Sequence, residues 1–248
     1  MSVQLTEDVT WLAESYPHGE KHLHVSVYLV EHDDSYILVD SGSFYHREQI
    51  DAQLAETIGD APVDALVLSH ADLPHSGNVP EFRDRWPELT LVSSSGSPAV
   101  VGLGHADVTA EIGGTMDICG RTFSFVDPPL ADIQHSTWIF DHDSGVLFTA
   151  DGFGNYHAPE HAGEPFGTVD GGIPTADIRD YHRDALRWLC YVDPARIDPA
   201  VDALFEDLDV SVVAPTHGNP IEAADFPEYR ARLRAAIEEI SRTDPHDL

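Results

Sequence analysis

Apolar residues early in the chain fall in short runs closed by turn residues. HVSVYLVEH (24–32), SYILVDSGS (35–43), DALVLSH (64–70) and LTLVSS (89–94) have mainly β-branched and aliphatic interiors, which predicts four strands. Between them HREQIDAQLAETIG (46–59) and VPEFRDRW (79–86) carry helical spacing. The pattern then shortens: TMDICGRTFSFV (115–126) and STWIFDHDSGVLFTADG (136–152) read as short strands joined by tight turns, with Gly120 and the HDSG segment as turn candidates.

Residues 152–177, GFGNYHAPEHAGEPFGTVDGGIPTAD, have little periodicity, and their length predicts a functional loop or lid. Helices follow at DIRDYHRDALRWLCYV (177–192) and DPAVDALFEDL (198–208), then a strand within VSVVAPTHGNP (210–220). In the last helix Asp225 and Glu228 have capping-box spacing, and Tyr229, Leu233, Ala236, Ile237 and Ile240 form one apolar stripe. This order predicts a single layered α/β domain over residues 1–248, two sheets between outer helices.

Composition narrows the partners. With 44 acidic against 13 basic residues the formal net charge is −31, and Lys21 is the one lysine. Such a surface repels nucleic acid phosphates and anionic lipid, and it suits a high-salt cytoplasm that screens self-repulsion. No apolar run approaches the roughly 20 residues of a membrane span, and the N-terminus lacks the basic-then-apolar order of a signal peptide, so a soluble cytoplasmic protein is expected. Cys119 and Cys190 have no paired spacing; neither a disulfide nor a cysteine zinc site is expected, and Cys190 is expected in the core. Nothing in the pattern specifies an oligomeric state.

The 15 histidines carry more information. The strand DALVLS runs into a loop holding His70, Asp72 and His75, and imidazole with carboxylate suits zinc, iron or manganese. Two other strands end in the same way: GVLFTADGFG delivers Asp151, and VSVVAPTHGNP delivers His217. Strand ends converging on one point are the plan of a site built on a rigid sheet.

ILVDSGS, SHADLPHSG, LFTADGFG and APTHG resemble, in order and approximate spacing, the metallo-β-lactamase superfamily over residues 25–221, and within it the metal domain of flavodiiron proteins most. The resemblance implies an αββα four-layer sandwich with a dinuclear site at one edge. It implies His70 and Asp72 on a first metal, His75 and His217 on a second, and Asp151 bridging, with Asp40 in support. A further first-metal ligand falls at Asp132 by spacing, with His135 the competing choice. Pro74 departs from the family, which has a metal-binding aspartate there. The second site is then weak or empty, or completed by His46, His157 or His161, or the chemistry is altered.

The cofactor expected is one or two divalent ions, zinc or iron, with manganese as a further choice. The leading functional expectation is a metal-dependent hydrolase of a small ester, thioester, lactone or phosphodiester. In it Asp72 and Asp151 are catalytic, and His157 and His161 on the Gly-rich loop meet substrate. The alternatives are a flavodiiron-like di-iron oxidoreductase acting on dioxygen or nitric oxide with a separate electron donor, and a degenerate member that only binds a small molecule.

Overall fold

A computed structural model describes residues 1–94 and 105–243. Its first sheet has seven strands in sequential order: β1 (Ser2–Gln4), β2 (Val9–His18), β3 (Lys21–His32), β4 (Ser35–Val39), β5 (Ala65–Leu68), β6 (Thr90–Ser94) and β7 (Val108–Ala110). The second holds β8 (Thr115–Ile118), β9 (Arg121–Val126), β10 (Trp138–Asp141), β11 (Val146–Phe148), β12 (Val212–Ala214) and β13 (Ile221–Glu222), in the order β13-β12-β11-β10-β9-β8. Helices α1 (Arg47–Ile58), α2 (Leu73–Ser76) and α3 (Val79–Arg85) follow strands of the first sheet. Helices α4 (Thr175–Ala185), α5 (Ile197–Asp207) and α6 (Phe226–Ile240) belong to the second half.

Side-chain alternation builds the layers. Tyr28, Val30, Ile37, Val39, Ala65 and Val67 face Phe123, Phe125, Ile139, Phe148 and Val212 in the core between the sheets. Their neighbours Val27, Leu29, Leu38, Leu66 and Leu68 point the other way, onto Ile50 and Leu54 of α1 and Val79 and Phe82 of α3. Phe140, Leu147 and Val213 likewise cover Ile178, Leu233, Ala236 and Ile237. Period-two strands packed on both faces by apolar layers give the αββα sandwich expected from the sequence.

The parallel pairs place the chemistry. β4 and β5 are parallel, as are β11 and β12. Each pair therefore ends at one edge, and there the chain continues into Asp40 and His70 from the first sheet and into Asp151 and His217 from the second. In parallel sheets the carboxyl ends of strands are where ligands bind. The sheets are clasped at this edge: Tyr28 Oη donates to the Pro215 carbonyl at 2.6 Å, Ser26 N to the Thr216 carbonyl at 3.0 Å and Thr137 N to the Ser69 carbonyl at 2.9 Å.

Several sequence expectations need correction. β1 and β2 were not anticipated, because VTWLAESYPH mixes polar residues into both faces; β2 nonetheless pairs with β3 along its whole length through the two-residue turn Gly19-Glu20, with Gly19 at φ 62°. The helix read over 177–192 stops at Ala185 and continues as a 3-10 turn, Arg187–Tyr191, on which Cys190 is only half-buried and remains a free thiol. The capping box does not form: Asp225 has helical φ and ψ and makes no side-chain cap.

The Gly-rich segment is packed rather than a lid. Phe153, Asn155, Tyr156 and His157 are buried, and Phe166, Val169 and Ile173 join the core under α6, because the segment carries enough apolar surface to fold onto the sheet edge. Among the described residues no helix is long and apolar enough to cross a membrane.

Candidate metal centre

Leu68 ends β5, and two residues later His70 lies buried with its Nε2 3.2 Å from Oδ2 of Asp151. His75 approaches the same oxygen at 3.5 Å through Nε2, and His217 Nε2 stands 3.4 Å from Asp151 Oδ1. Rings of His70 and His75 are 3.9 Å apart between centroids, and those of His75 and His217 5.2 Å and nearly perpendicular. Three imidazoles thus converge on one carboxylate from residues far apart in the chain.

Each ring is held from behind. His75 Nδ1–H donates to Asp40 at 2.7 Å, His217 Nδ1–H to the His24 carbonyl at 2.6 Å, and His70 Nδ1 meets Ser69 Oγ at 3.2 Å. With Nδ1 engaged, each Nε2 faces Asp151, the arrangement that fixes ring orientation in metal sites. Asp40 is the hub of this support. Besides His75 it accepts from Ser69 N and Ser69 Oγ, both at 2.9 Å, and from Thr216 Oγ1 at 3.1 Å, and its backbone takes the left-handed φ of 59°. The supporting role expected for Asp40 is the one its contacts give it.

Asp72 and Asp132 form the outer side. Their carboxylates and His70 present ligand atoms within 4.8 Å of one another, as do His70, His75 and Asp151. Asp72 is exposed; one oxygen accepts from Leu73 N at 2.8 Å, starting α2 and leaving the other oxygen free. Asp132 Oδ1 accepts from Ser136 Oγ at 2.8 Å while Oδ2 points to His70 at 3.6 Å. The loop before it is pinned by Trp188, whose indole donates to the Ala131 carbonyl at 2.6 Å. Of the two residues competing by spacing, the structure brings Asp132 to the cluster. His135 is exposed at φ 71° and is in neither cluster.

The other histidines proposed from sequence lie elsewhere. His157 pairs by backbone with His22 and is buried against His24, with ring centroids 4.0 Å apart; burial pushes its pKa down to about 4. His161 pairs with Glu164 at 2.9 Å, and His46 lies against Tyr16. None of the three joins either cluster of ligand atoms, because each belongs to the β2–β3 hairpin's surroundings or to the start of α1. Pro74 sits in the first turn of α2, where a missing N–H leaves no bond unmade.

The electrostatics match a cation site. Burial alone would drive the His75 pKa down, but Asp40 and Asp151 outweigh it and hold it well above the ordinary value. His217 is lowered mainly by burial, and His70 by burial and by His75. Burial would raise Asp151, yet His75, His70 and His217 together keep it far below the usual carboxylate range. His70 Nε2 and Asp151 Oδ2 are buried without a hydrogen-bond partner. Buried polar atoms normally have partners; this pair, aimed at a common point among deprotonable nitrogen and oxygen donors, fits a divalent metal.

Around the mouth the chain exposes apolar side chains. Leu73 and Ile133 stand next to Asp72 and Asp132 in sequence, and Phe44 and Tyr45 lie on the loop after Asp40; they are 62%, 48%, 63% and 86% exposed. Sequence reading missed these, as it missed Ser69, Thr216, His24 and Trp188. Only the SHAD run, where a serine precedes the first histidine, hinted at any of them.

Comparison with known proteins agrees with the fold. The metallo-β-lactamase superfamily model matches residues 21–217. Coenzyme F420H2 oxidase of Methanothermobacter thermautotrophicus is 29% identical over 143 residues, covering 53% of this chain and 35% of the relative. Anaerobic nitric oxide reductase flavorubredoxin of Aeromonas hydrophila is 23% identical over 234 residues, 88% of this chain and 46% of that protein. A mutant flavo di-iron protein from Thermotoga maritima superposes with a TM-score of 0.76 at 16% identity, over 95% of this chain and 62% of that one. The chain thus spans less than two thirds of each of these proteins.

Proposed function

Because this chain belongs to the metallo-β-lactamase superfamily, we propose that its buried centre holds a pair of iron ions and reduces dioxygen or nitric oxide with electrons from a separate donor. The observation that carries the reading is the convergence of three Nε2 atoms on Asp151, each ring tied at Nδ1. The relatives named above are an oxidase and a reductase, and this supports the redox alternative over the hydrolysis expected first from sequence. Pro74 does not decide between the two, since the metal-binding aspartate the family has there is missing for either chemistry.

In this reading His70, Asp72 and Asp132 would hold one ion and His75 and His217 the other, with Asp151 available to both. Bound iron would supply the electrons and the affinity for a diatomic molecule. The chain's residues do the rest. Asp40, Ser69 and the His24 carbonyl fix the three rings, and Tyr181 Oη, donating to the Asp151 carbonyl at 2.9 Å, fixes the shared carboxylate's backbone. Burial of His70, His75 and His217 keeps bulk water from them. The exposed apolar side chains of Leu73 and Ile133, next to Asp72 and Asp132 in sequence, offer a donor protein a contact beside these two ligands.

The test is anaerobic reconstitution with ferrous iron, chemical reduction, and measurement of oxygen and nitric oxide uptake beside a panel of thioesters, lactones and phosphodiesters assayed with zinc. Uptake of either gas, lost in His70→Ala, is expected. Turnover of an ester-type substrate with zinc and no gas uptake would overturn the redox reading.

A further inference from the structure

Asp151 stands between unlike neighbourhoods. On one side are His70, Asp72 and Asp132, with ligand atoms within 4.8 Å of one another and Asp151 Oδ2 3.2 Å from the His70 ring nitrogen. On the other are His75 and His217, at 3.5 and 3.4 Å from its two oxygens. Counting Asp151 in both, the first set is three carboxylates and one imidazole, and the second is two imidazoles and one carboxylate. Pro74 causes the imbalance. It stands between Asp72 and His75, where a side chain could have added a carboxylate to the second set, and in the first turn of α2 the fold accepts it without loss.

Building on the metal-holding reading above, we infer that the centre is two unequal cation sites loaded in order. The first, at His70, Asp72, Asp132 and Asp151, is anionic and oxygen-rich and takes a hard divalent ion such as Mn²⁺ tightly. The second, at His75, His217 and Asp151, is a two-histidine, one-carboxylate set with open positions and fills later. Oxygen donors suit manganese, whereas two imidazoles and one carboxylate suit ferrous iron and zinc. Repulsion sharpens the order, since an ion already beside Asp151 neutralises the only anion among the second set's ligands. Access favours the same order: Asp72 is exposed and Asp132 half-buried, whereas His75 and His217 are buried. His70 Nε2 and Asp151 Oδ2 are buried without hydrogen-bond partners, and His75 Nε2 faces the same oxygen at 3.5 Å, so the two sets meet at Asp151.

Protein stripped with a chelator is titrated without oxygen, with Mn²⁺ followed by electron paramagnetic resonance and Co²⁺ by visible absorption. One Mn²⁺ should bind tightly with an isolated-ion spectrum, and a second ion at least about 100-fold more weakly, since losing even a supporting contact costs 10–100-fold. Asp132→Asn should abolish the tight step. His217→Ala should keep it and remove the weak one. Pro74→Asp should bring the second step within about tenfold of the first, a gain that misfolding cannot imitate. Two ions of equal affinity in the unaltered protein, coupled from the first addition, would overturn the inequality alone. So would loss of the tight ion in His217→Ala with its retention in Asp132→Asn. Failure to retain Mn²⁺, Co²⁺, Zn²⁺ or Fe²⁺ would overturn both this and the reading on which it rests.

Discussion

His75 and Asp40 form a fully buried pair: Nδ1 of the ring lies 2.7 Å from Oδ2 of the carboxylate, and the opposite ring nitrogen faces Asp151. Asp40→Asn keeps the shape, and asparagine tolerates the left-handed backbone at this position. It removes the charge that makes His75 a strong donor. Metal affinity should fall 10–100-fold, measured by competition with a chromophoric chelator, and the metal-free protein should lose stability as well, because the amide leaves buried donors and the His75 ring without their full partner. Unchanged affinity would mean that packing alone orients His75.

Gly154 has no room for a side chain. A Cβ there would overlap the Tyr181 ring and press on the His217 carbonyl. Gly154→Ala should therefore cost about 1–3 kcal/mol of stability through overpacking, read by urea unfolding. It should also weaken metal binding, because the displaced groups support Asp151 and carry His217.

Arg121 opens β9 beside Asp141, the last residue of β10, away from the centre; it is 1% exposed, with Nε and Nη2 bonded to Asp141 at 2.9 and 2.7 Å and Nη1 to Asp8 at 3.0 Å. Removing one partner of a buried pair leaves an uncompensated charge. Arg121→Ala should lower unfolding free energy by about 3–5 kcal/mol, with metal affinity of the remaining folded protein unaltered. A loss below about 1 kcal/mol would show that water reaches Asp141.

His182 supplies a pH test remote from the ligands. It is buried on α4, donates Nδ1–H to the Ile178 carbonyl at 2.8 Å, and burial depresses its pKa to about 4. Above its unfolded value near 6.5 it is neutral in both states and exerts no pH effect. As pH falls from 6.5 towards 4 the unfolded chain takes up a proton that the folded one refuses, so stability declines by roughly 3 kcal/mol and then levels off. His182→Asn, which retains a donor, should flatten this part of the stability curve. An unchanged slope would assign acid sensitivity to other groups.

The layers were legible because period-two alternation survives in β3, β4 and β5, each buried on both faces by different partners. The strand-end ligands were legible because His70, Asp151 and His217 each follow an apolar run directly. β2 was not, since Glu14, Ser15 and His18 interrupt its pattern on the half that leaves the core. Spacing favoured Asp132 but left His135 as a competitor. Two residues of loop separate them, and the loop before Asp132 is held by Trp188, which lies 57 positions beyond Ala131 and donates to its carbonyl. His157 and His161 looked like pocket residues because they sit in a Gly-rich stretch, but Phe153, Tyr156 and Phe166 bury that stretch. The supporting atoms around the rings are mostly carbonyls and hydroxyls, which carry no distinctive sequence signal.

The clasp between Tyr28 and the Pro215 carbonyl, with Ser26 beside it, bears on when during biosynthesis the second of the two proposed sites could form. All the proposed ligands but His217 emerge early, yet β12 must leave the ribosome and dock beside β11 before that last imidazole reaches Asp151. In the order proposed above, capture of the second ion is therefore the late event, while the residues of the first set are all made by position 151.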